Sequence, residues 1–228
     1  MKAVILAAGK GTRMGEASKE TPKPMLKAGG KSLLHHMIEI LPKEIHEVVL
    51  VVSHLKEHIM ASLGSMLHGK KITYVEQPEL LGTAHALFSA KEHLKNEEKF
   101  IVMMGDNVYT KEDLQACFDT AWSMLADPRD SVKGVAKVVI DADGHVENIL
   151  ERYPHDEKGF SSPGVYTLTP EIFNYEMVEW GNGEYGLPQT ILSAKDKKIK
   201  AVPAKFVILV TNPDDLKAAE AHFQNLNP

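Results

Sequence analysis

Lys2-Ala3-Val4-Ile5-Leu6-Ala7-Ala8-Gly9-Lys10-Gly11-Thr12-Arg13-Met14 opens the chain. Its first half is an uninterrupted apolar run, rich in Val, Ile and Leu, that stops at a pair of glycines. Such a run reads as a strand buried on both faces, as in a parallel sheet covered by helices on either side. Runs of similar length and makeup recur at 48–52, 72–75, 100–104, 134–140, 164–168 and 206–210. Helical spacings lie between them. Apolar residues fall at 33, 34, 37, 38 and 41 between Ser32 and Leu41, at Leu55, Ile59 and Leu63, and at Leu87, Ala90 and Leu94 after Thr83. Thr110 with Asp113 predicts a capping box that opens a helix running to about Leu125. Pro170 and Pro213 suit first helical positions.

Strands alternating with helices predict an α/β fold, a Rossmann-like, doubly wound mixed sheet that is mostly parallel. Between Val132 and Tyr166 the alternation weakens to strand, a turn at Asp141 to Gly144, strand, loop and strand. That stretch predicts an antiparallel lobe forming one side of a cleft. With 228 residues, one domain of two lobes is expected.

Composition narrows the function classes. With 43% hydrophobic and 25% charged residues the chain has an ordinary globular makeup, which excludes disordered, collagen-like and disulfide-scaffold readings. A net charge of −5 with no strong basic cluster argues against nucleic acid or an anionic membrane surface as partner. A lone Cys117 forms no internal disulfide, and a reducing compartment is the simpler expectation. The opening apolar stretch is too short for a signal peptide or a membrane span, so a cytoplasmic location is expected.

The strongest local signal is the turn after the first run, followed by Thr21-Pro22-Lys23-Pro24-Met25. Small residues let backbone amides approach phosphate oxygens, and Arg13 and Lys23 can neutralise the charge that builds on a polyphosphate during transfer. Two common phosphate motifs do not fit. The glycines fall at 9, 11 and 15 rather than in GxGxxG spacing, and Ser53 stands where a dinucleotide fold needs an acid. The sequence Gly30-Lys31-Ser32 has Met25 where a Walker loop needs its first glycine. Asp106 ends an apolar strand, where open α/β sheets bind ligands, and is a candidate metal ligand. Gln77 can pair with both a donor and an acceptor on a pyrimidine edge. Asn212, followed by Pro213 and Asp215, is a good helix N-cap, which would occupy its side-chain oxygen. His54-Leu55-Lys56-Glu57-His58 has the spacing of an inverted zinc peptidase motif, but lacks an evident third ligand and reads as surface histidines. Cys117 reads as a packed side chain rather than a nucleophile.

Leu6-Ala7-Ala8-Gly9-Lys10-Gly11-Thr12-Arg13-Met14 with Thr21-Pro22-Lys23-Pro24-Met25 resembles the signature of sugar-1-phosphate nucleotidyltransferases. Gln77 with Leu81-Gly82-Thr83-Ala84-His85-Ala86-Leu87 resembles the base-recognition segment of the N-acetylglucosamine-1-phosphate uridylyltransferase branch. Met104-Gly105-Asp106-Asn107, Glu151, Gly164, Glu184-Tyr185 and Val210-Thr211-Asn212-Pro213-Asp214-Asp215-Leu216 line up with its metal and sugar-side segments, so the likeness spans nearly the whole chain. It implies the nucleotide-diphospho-sugar transferase fold over 1–228, with a nucleotide-binding part at about 1–130 and a sugar-phosphate part at about 131–228. It also implies Arg13, Lys23 and Asp106 as catalytic residues. Leu6, Ala7, Ala8, Gly9, Gly11, Thr12, Gln77, Gly82 and Thr83 would bind the nucleotide. Asp106, Glu151, Ser162, Gly164, Glu184 and Tyr185 would bind the acceptor, and Asp106 and Asn212 would hold Mg2+, with Thr211 able to contribute.

The implied reaction joins an NTP, with UTP favoured and dTTP or CTP as competitors, to a sugar 1-phosphate and releases pyrophosphate. Two departures bear on the acceptor: Ser162-Pro163-Gly164 replaces an Asn before the glycine, and Lys137 stands where a glycine is expected. Only the transfer domain is expected, without the β-helical acetyltransferase domain of bifunctional members. One alternative is a cytidylyltransferase acting on a phosphocholine-like alcohol, with Trp180, Tyr185 and Glu184 around a cation. Another, of a different class, is a non-catalytic nucleotide sensor. A homodimer is compatible with the sequence.

Overall fold

A computed structural model describes residues 1–9, 11, 14, 21–53 and 55–226. Strands β1 (Lys2–Leu6), β2 (Glu47–Val52), β3 (Met66–Leu67), β4 (Lys70–Glu76), β5 (Phe100–Met104) and β6 (Ser123–Arg129) are followed by β7 (Lys137–Ile140), β8 (Val146–Leu150), β9 (Gly159–Ser161), β10 (Val165–Leu168) and β11 (Lys200–Pro203). They form one 11-stranded sheet in the order β8-β7-β9-β6-β10-β5-β1-β2-β4-β3, with β11 beside β6. The strands β5, β1, β2 and β4 run parallel. From β10 outward to β8 the path is antiparallel.

The parallel centre explains the uninterrupted apolar runs. Val4, Val49, Val51, Phe100 and Val102 feed one buried cluster, while Ala3, Ile5, Val48, Leu50, Val52, Ile101 and Met103 feed another. Because successive strand residues point to opposite faces, a strand covered on both sides has no position left for a polar residue. Helix α1 (Leu33–Glu39) contributes Leu34, Met37 and Ile38 to the second cluster, α2 (Lys56–Leu63) adds Ile59 and Leu63, and α5 (Lys111–Asp119) adds Leu114, Cys117 and Phe118. The first cluster is closed by α3 (Gly82–Ser89), α4 (Lys91–Leu94) and α6 (Leu187–Ser193) through Ala84, Leu87, Leu94, Leu187 and Ile191. Helix α7 (Pro213–Leu226) packs Ala219 and Phe223 on a third, smaller cluster with Ala28, Leu33 and Val210.

Two expectations are corrected. The helix from Thr110 does not reach Leu125: it ends at Asp119, Trp122 turns the chain with a left-handed φ of 55°, and residues 123–129 form a strand inside the sheet. Met124, Leu125 and Ala126 are wholly buried there, and the Ser123 hydroxyl donates to the Cys117 carbonyl at 2.7 Å. The spacing of Leu114, Cys117 and Leu125 suits a helix, but the burial of both faces of 123–126 suits only a central strand. Thr110 does cap α5, since its Oγ1 accepts from the Asp113 amide. Asp113 completes no box and instead accepts from the amides of Lys205 and Phe206 at 2.9 and 3.1 Å. The second correction is at 206–210, where only Val207–Ile208 is a strand, paired with Val108–Tyr109.

Candidate active site

The order of the sheet fixes where a ligand can sit. From β1 the chain moves to β2 on one side, and later returns to β5 on the other, so the strand order reverses at β1. Ligands of open α/β sheets bind in the crevice that such a reversal opens beyond the strand C-termini. Leu6 and Met104 are register partners, and the Gly105 amide donates to the Leu6 carbonyl at 3.0 Å. A side chain on Gly105 would meet that carbonyl and Ala7 at 3.1 and 3.3 Å, so the two loops touch. Here lies a cleft of about 580 Å3 lined by Leu6, Ala7, Ala8, Gly9, Gly11, Lys23, Gln77, Gly82, Thr83, Asp106, Glu184 and Thr211 among others.

Lys23 enters the cleft from a 3-10 turn, Lys23–Met25, with Pro22 before it and Pro24 inside it. Proline presets φ, and the turn closes through the Met25 amide on the Pro22 carbonyl. The Lys23 side chain is buried, and its Nζ donates to Asp106 Oδ2 at 2.5 Å, with no other acceptor among the described residues. An ammonium has three donors, so two remain for phosphate oxygens. Asp106 is about a third exposed and leaves its other oxygen open to the cleft.

At the opposite wall Gln77 follows β4, its amide bonded to the Val52 carbonyl at 2.8 Å and its side chain buried. Gly82 begins α3 at φ +93°, and a Cβ there would lie 2.5 Å from the Tyr185 carbonyl oxygen and 2.8 Å from its nitrogen. Tyr185 thus serves through its backbone: its amide donates to the Leu81 carbonyl at 2.8 Å. Thr83 Oγ1 accepts from the Leu187 amide at 2.9 Å, so the hydroxyl ties α3 to the start of α6. The hairpin of Glu179–Gly181 with Glu184–Tyr185 carries Glu184 into the cleft.

Other expected site residues are not brought to this lining. Glu151 ends near β8, exposed, and accepts from Gln189 at 3.1 Å. Ser162 shares a hydrogen bond with the buried Tyr166 hydroxyl at 3.2 Å. Gly164, at φ +77°, bonds the Met104 amide through its carbonyl, and a Cβ would collide with Met104 Cγ at 2.3 Å. Its freedom is used to seat β10 against β5. Lys137 pairs with Glu157 and lies over the Tyr153 ring. Arg13, Thr12 and His54 lie outside the described residues.

Asn212 is a working N-cap: its Oδ1 accepts from the amides of Asp214 and Asp215 at 2.9 and 3.1 Å. Asp215 returns the bond, accepting from the amides of Thr211 and Asn212 and from the Thr211 hydroxyl. Burial pushes the Asp215 carboxyl up, but these bonds and the nearby Lys23 ammonium outweigh it and hold it below the usual carboxylate range. A depressed folded value means this contribution is complete above an unfolded value of about 3.9 and is lost as pH falls through the folded one. Asp215→Ala is expected to cost about 1 kcal/mol at neutral pH, measured by urea unfolding, and the gap to the parent protein should shrink in acid. An equal gap at every pH would remove the carboxylate from the account.

The fit to a divalent ion follows from these bonds. Asp106 offers one open oxygen, whereas the oxygen of Asn212 already takes two amides. Mg2+ is commonly held by one or two carboxylates with phosphate oxygens and waters completing the shell, so Asp106 with a bound nucleotide fits such an ion. Asp141, Asp143 and His145 bring ligand atoms within 4.8 Å of one another on the β7–β8 turn, outside the cleft lining. There Asp141 is already engaged with the amides of Asp143 and His145.

Sequence reasoning gave Asn107 no role. Its Oδ1 accepts from the Val210 amide and its Nδ2 donates to the Pro163 carbonyl, so it joins the Asp106 loop to the segment that carries Thr211 into the cleft and to the loop before β10. An amide directly after a strand-end acid was the available signal.

Residues 2–206 match the nucleotidyl transferase family. The chain belongs to that family. It is 30% identical over 237 residues to UTP–glucose-1-phosphate uridylyltransferase AglF of Haloferax volcanii, covering 98% of this chain and 97% of AglF. The bifunctional protein GlmU of Methanococcus maripaludis is 29% identical over 99% of this chain, which spans 55% of GlmU. Among solved structures, HddC of Yersinia pseudotuberculosis complexed with GMP-PN superposes with a TM-score of 0.78 at 26% identity, covering 97% of this chain and 99% of HddC. The chain is therefore a nucleotidyl transferase. Among the described residues, no helix is long and apolar enough to cross a membrane.

Proposed function

We propose that this nucleotidyl transferase joins UTP to a sugar 1-phosphate in a magnesium-dependent, in-line displacement. The carrying observation is the cleft that gathers Lys23, Asp106, Gln77 and Gly82 beyond the ends of β1, β4 and β5. A phosphate oxygen of the acceptor forms a bond to the α-phosphorus while the bond to the β-phosphate breaks and pyrophosphate departs. The acceptor phosphate is already anionic at neutral pH, so alignment and charge neutralisation matter more than a general base. Lys23 bridges phosphates of donor and acceptor, and the amides around Ala8, Gly9 and Gly11 approach the donor phosphates. Arg13, assigned from the motif alone, neutralises charge on the leaving pyrophosphate. Asp106 would hold the metal, which supplies charge stabilisation at the phosphates when bound. Gln77, Gly82 and Thr83 flank the base, and Glu184 faces the acceptor end. The similarity to AglF supports UTP and a hexose 1-phosphate over other pairs.

The test is pyrophosphate release across UTP, dTTP, CTP and GTP, each with a panel of sugar 1-phosphates and phosphocholine, with and without Mg2+. Release with UTP that requires both a sugar 1-phosphate and the metal supports the proposal. A requirement for CTP and phosphocholine would replace it with the cytidylyltransferase reading, and nucleotide binding with no turnover in any combination would make the chain a sensor.

A further inference from the structure

Gln77 is buried at the wall of the cleft, and its two ends are not equivalent. The side-chain nitrogen donates to the Gly82 carbonyl at 3.1 Å and contacts His85 Nδ1 at 3.1 Å. A carbonyl oxygen can only accept, so the atom facing Gly82 must be the amide nitrogen rather than the oxygen. Both hydrogens of that nitrogen are then committed, one to Gly82 and one to His85. It follows that His85 Nδ1 accepts, and that the ring is the neutral tautomer with its hydrogen on Nε2. The oxygen Oε1 takes no hydrogen bond from any described residue. That oxygen is not sealed from solvent, and Gln77 lines the cleft, so a ligand there can supply its donor.

We infer that His85 is a positioning residue that locks the Gln77 amide with its acceptor toward the base, and so selects a base that donates at that edge. The inference rests on the reading of Gln77 as a base contact, and it deepens it. Uracil carries N–H at ring position 3, whereas cytosine carries a lone pair there. An oxygen fixed opposite that position attracts the first and repels the second. An amide free to turn over would offer its NH2 instead and accept either base, so discrimination depends on what prevents the turn. Gly82 supplies half of that restraint through its backbone; His85 supplies the other half from one helical turn along α3.

The test is equilibrium binding of UTP and CTP to the full chain by titration calorimetry, with Mg2+ and without acceptor, so that acceptor identity does not enter. The parent protein is expected to bind UTP more tightly. His85→Leu removes the acceptor and is expected to cut the ratio of CTP to UTP dissociation constants by about tenfold, the scale of one hydrogen bond. His85→Asn, whose side-chain oxygen can take the place of Nδ1, is expected to restore most of the ratio. General damage to α3 would weaken both nucleotides together and leave the ratio alone. A parent preference for UTP that survives in His85→Leu overturns the inference while leaving the base contact standing. A parent protein that binds both equally overturns the base contact and the inference with it. Should His85→Leu fail to fold, a His85→Lys variant, which sets a donor against the amide nitrogen, must lower the ratio or the inference fails.

Discussion

Replacing Lys23 by alanine is expected to lower the rate of pyrophosphate release about 100- to 1000-fold at saturating substrates, the scale of losing one preorganised electrostatic stabiliser. The effect is large because the ammonium is buried, paired to a single carboxylate, and held by a turn between two prolines. It therefore meets the developing charge with little reorganisation. The folding cost should be small by comparison, since Asp106, left without its partner, is about a third exposed and can be hydrated. Arginine is not expected to rescue the loss: a planar guanidinium on a longer stem cannot occupy the place of a compact ammonium 2.5 Å from Asp106. The check is a pyrophosphate-coupled assay beside thermal unfolding. Near-normal turnover in a folded Lys23→Ala protein would take the residue out of the reaction.

Gly82→Ala should have the largest structural effect of any single methyl added at the site. At φ +93° an L-residue is already strained, and the new Cβ would lie 2.5 Å from the Tyr185 carbonyl oxygen and 2.8 Å from its nitrogen. Both are backbone atoms of a hairpin that also bonds Leu81, so neither can swing aside as a side chain would. Strain and overlap together are expected to cost about 2–4 kcal/mol. The shift should also displace the carbonyl that anchors Gln77, weakening nucleotide binding beyond the loss of stability. Gly134→Ala is the control: its φ of +78° is comparable but open space surrounds it, so only the conformational cost of about 1 kcal/mol applies. Equal destabilisation of the two variants in urea would mean that the approach to Tyr185 is not rigid.

The parts of the fold that could be read from the sequence are those where one physical demand acted alone. Strands β1, β2 and β5 are buried on both faces, so their apolar runs have no competing explanation. The antiparallel lobe was legible from its turn at Asp141 to Gly144, which the structure shows between β7 and β8. Strand β6 was not legible, because Leu114, Cys117 and Leu125 fall at helical spacing, and only the tertiary structure shows Met124 to Ala126 wholly buried and Asp127 buried in an ion pair with Arg129. The same division runs through the cleft. Lys23, Gln77, Gly82 and Asp106 sit beside glycines, prolines or strand ends that advertise them. Glu151, Ser162 and Gly164 carry similar marks, but Gln189 and Met104, which engage Glu151 and Gly164, come from distant parts of the chain, and Ser162 is taken up by Tyr166 four residues on.

The sequence by itself determined that a doubly wound sheet would form and that a glycine-bounded loop would follow its first strand, because two-sided burial and backbone freedom are properties of short stretches. Only the tertiary structure decided that Lys23 meets Asp106, that Asn212 spends its oxygen on a helix cap, and that Gln77 turns its acceptor away from Gly82 and His85. Each of these is a choice among partners that lie far apart in the chain or compete for one atom, and hydrogen-bond valence is settled only when all the competitors are in place.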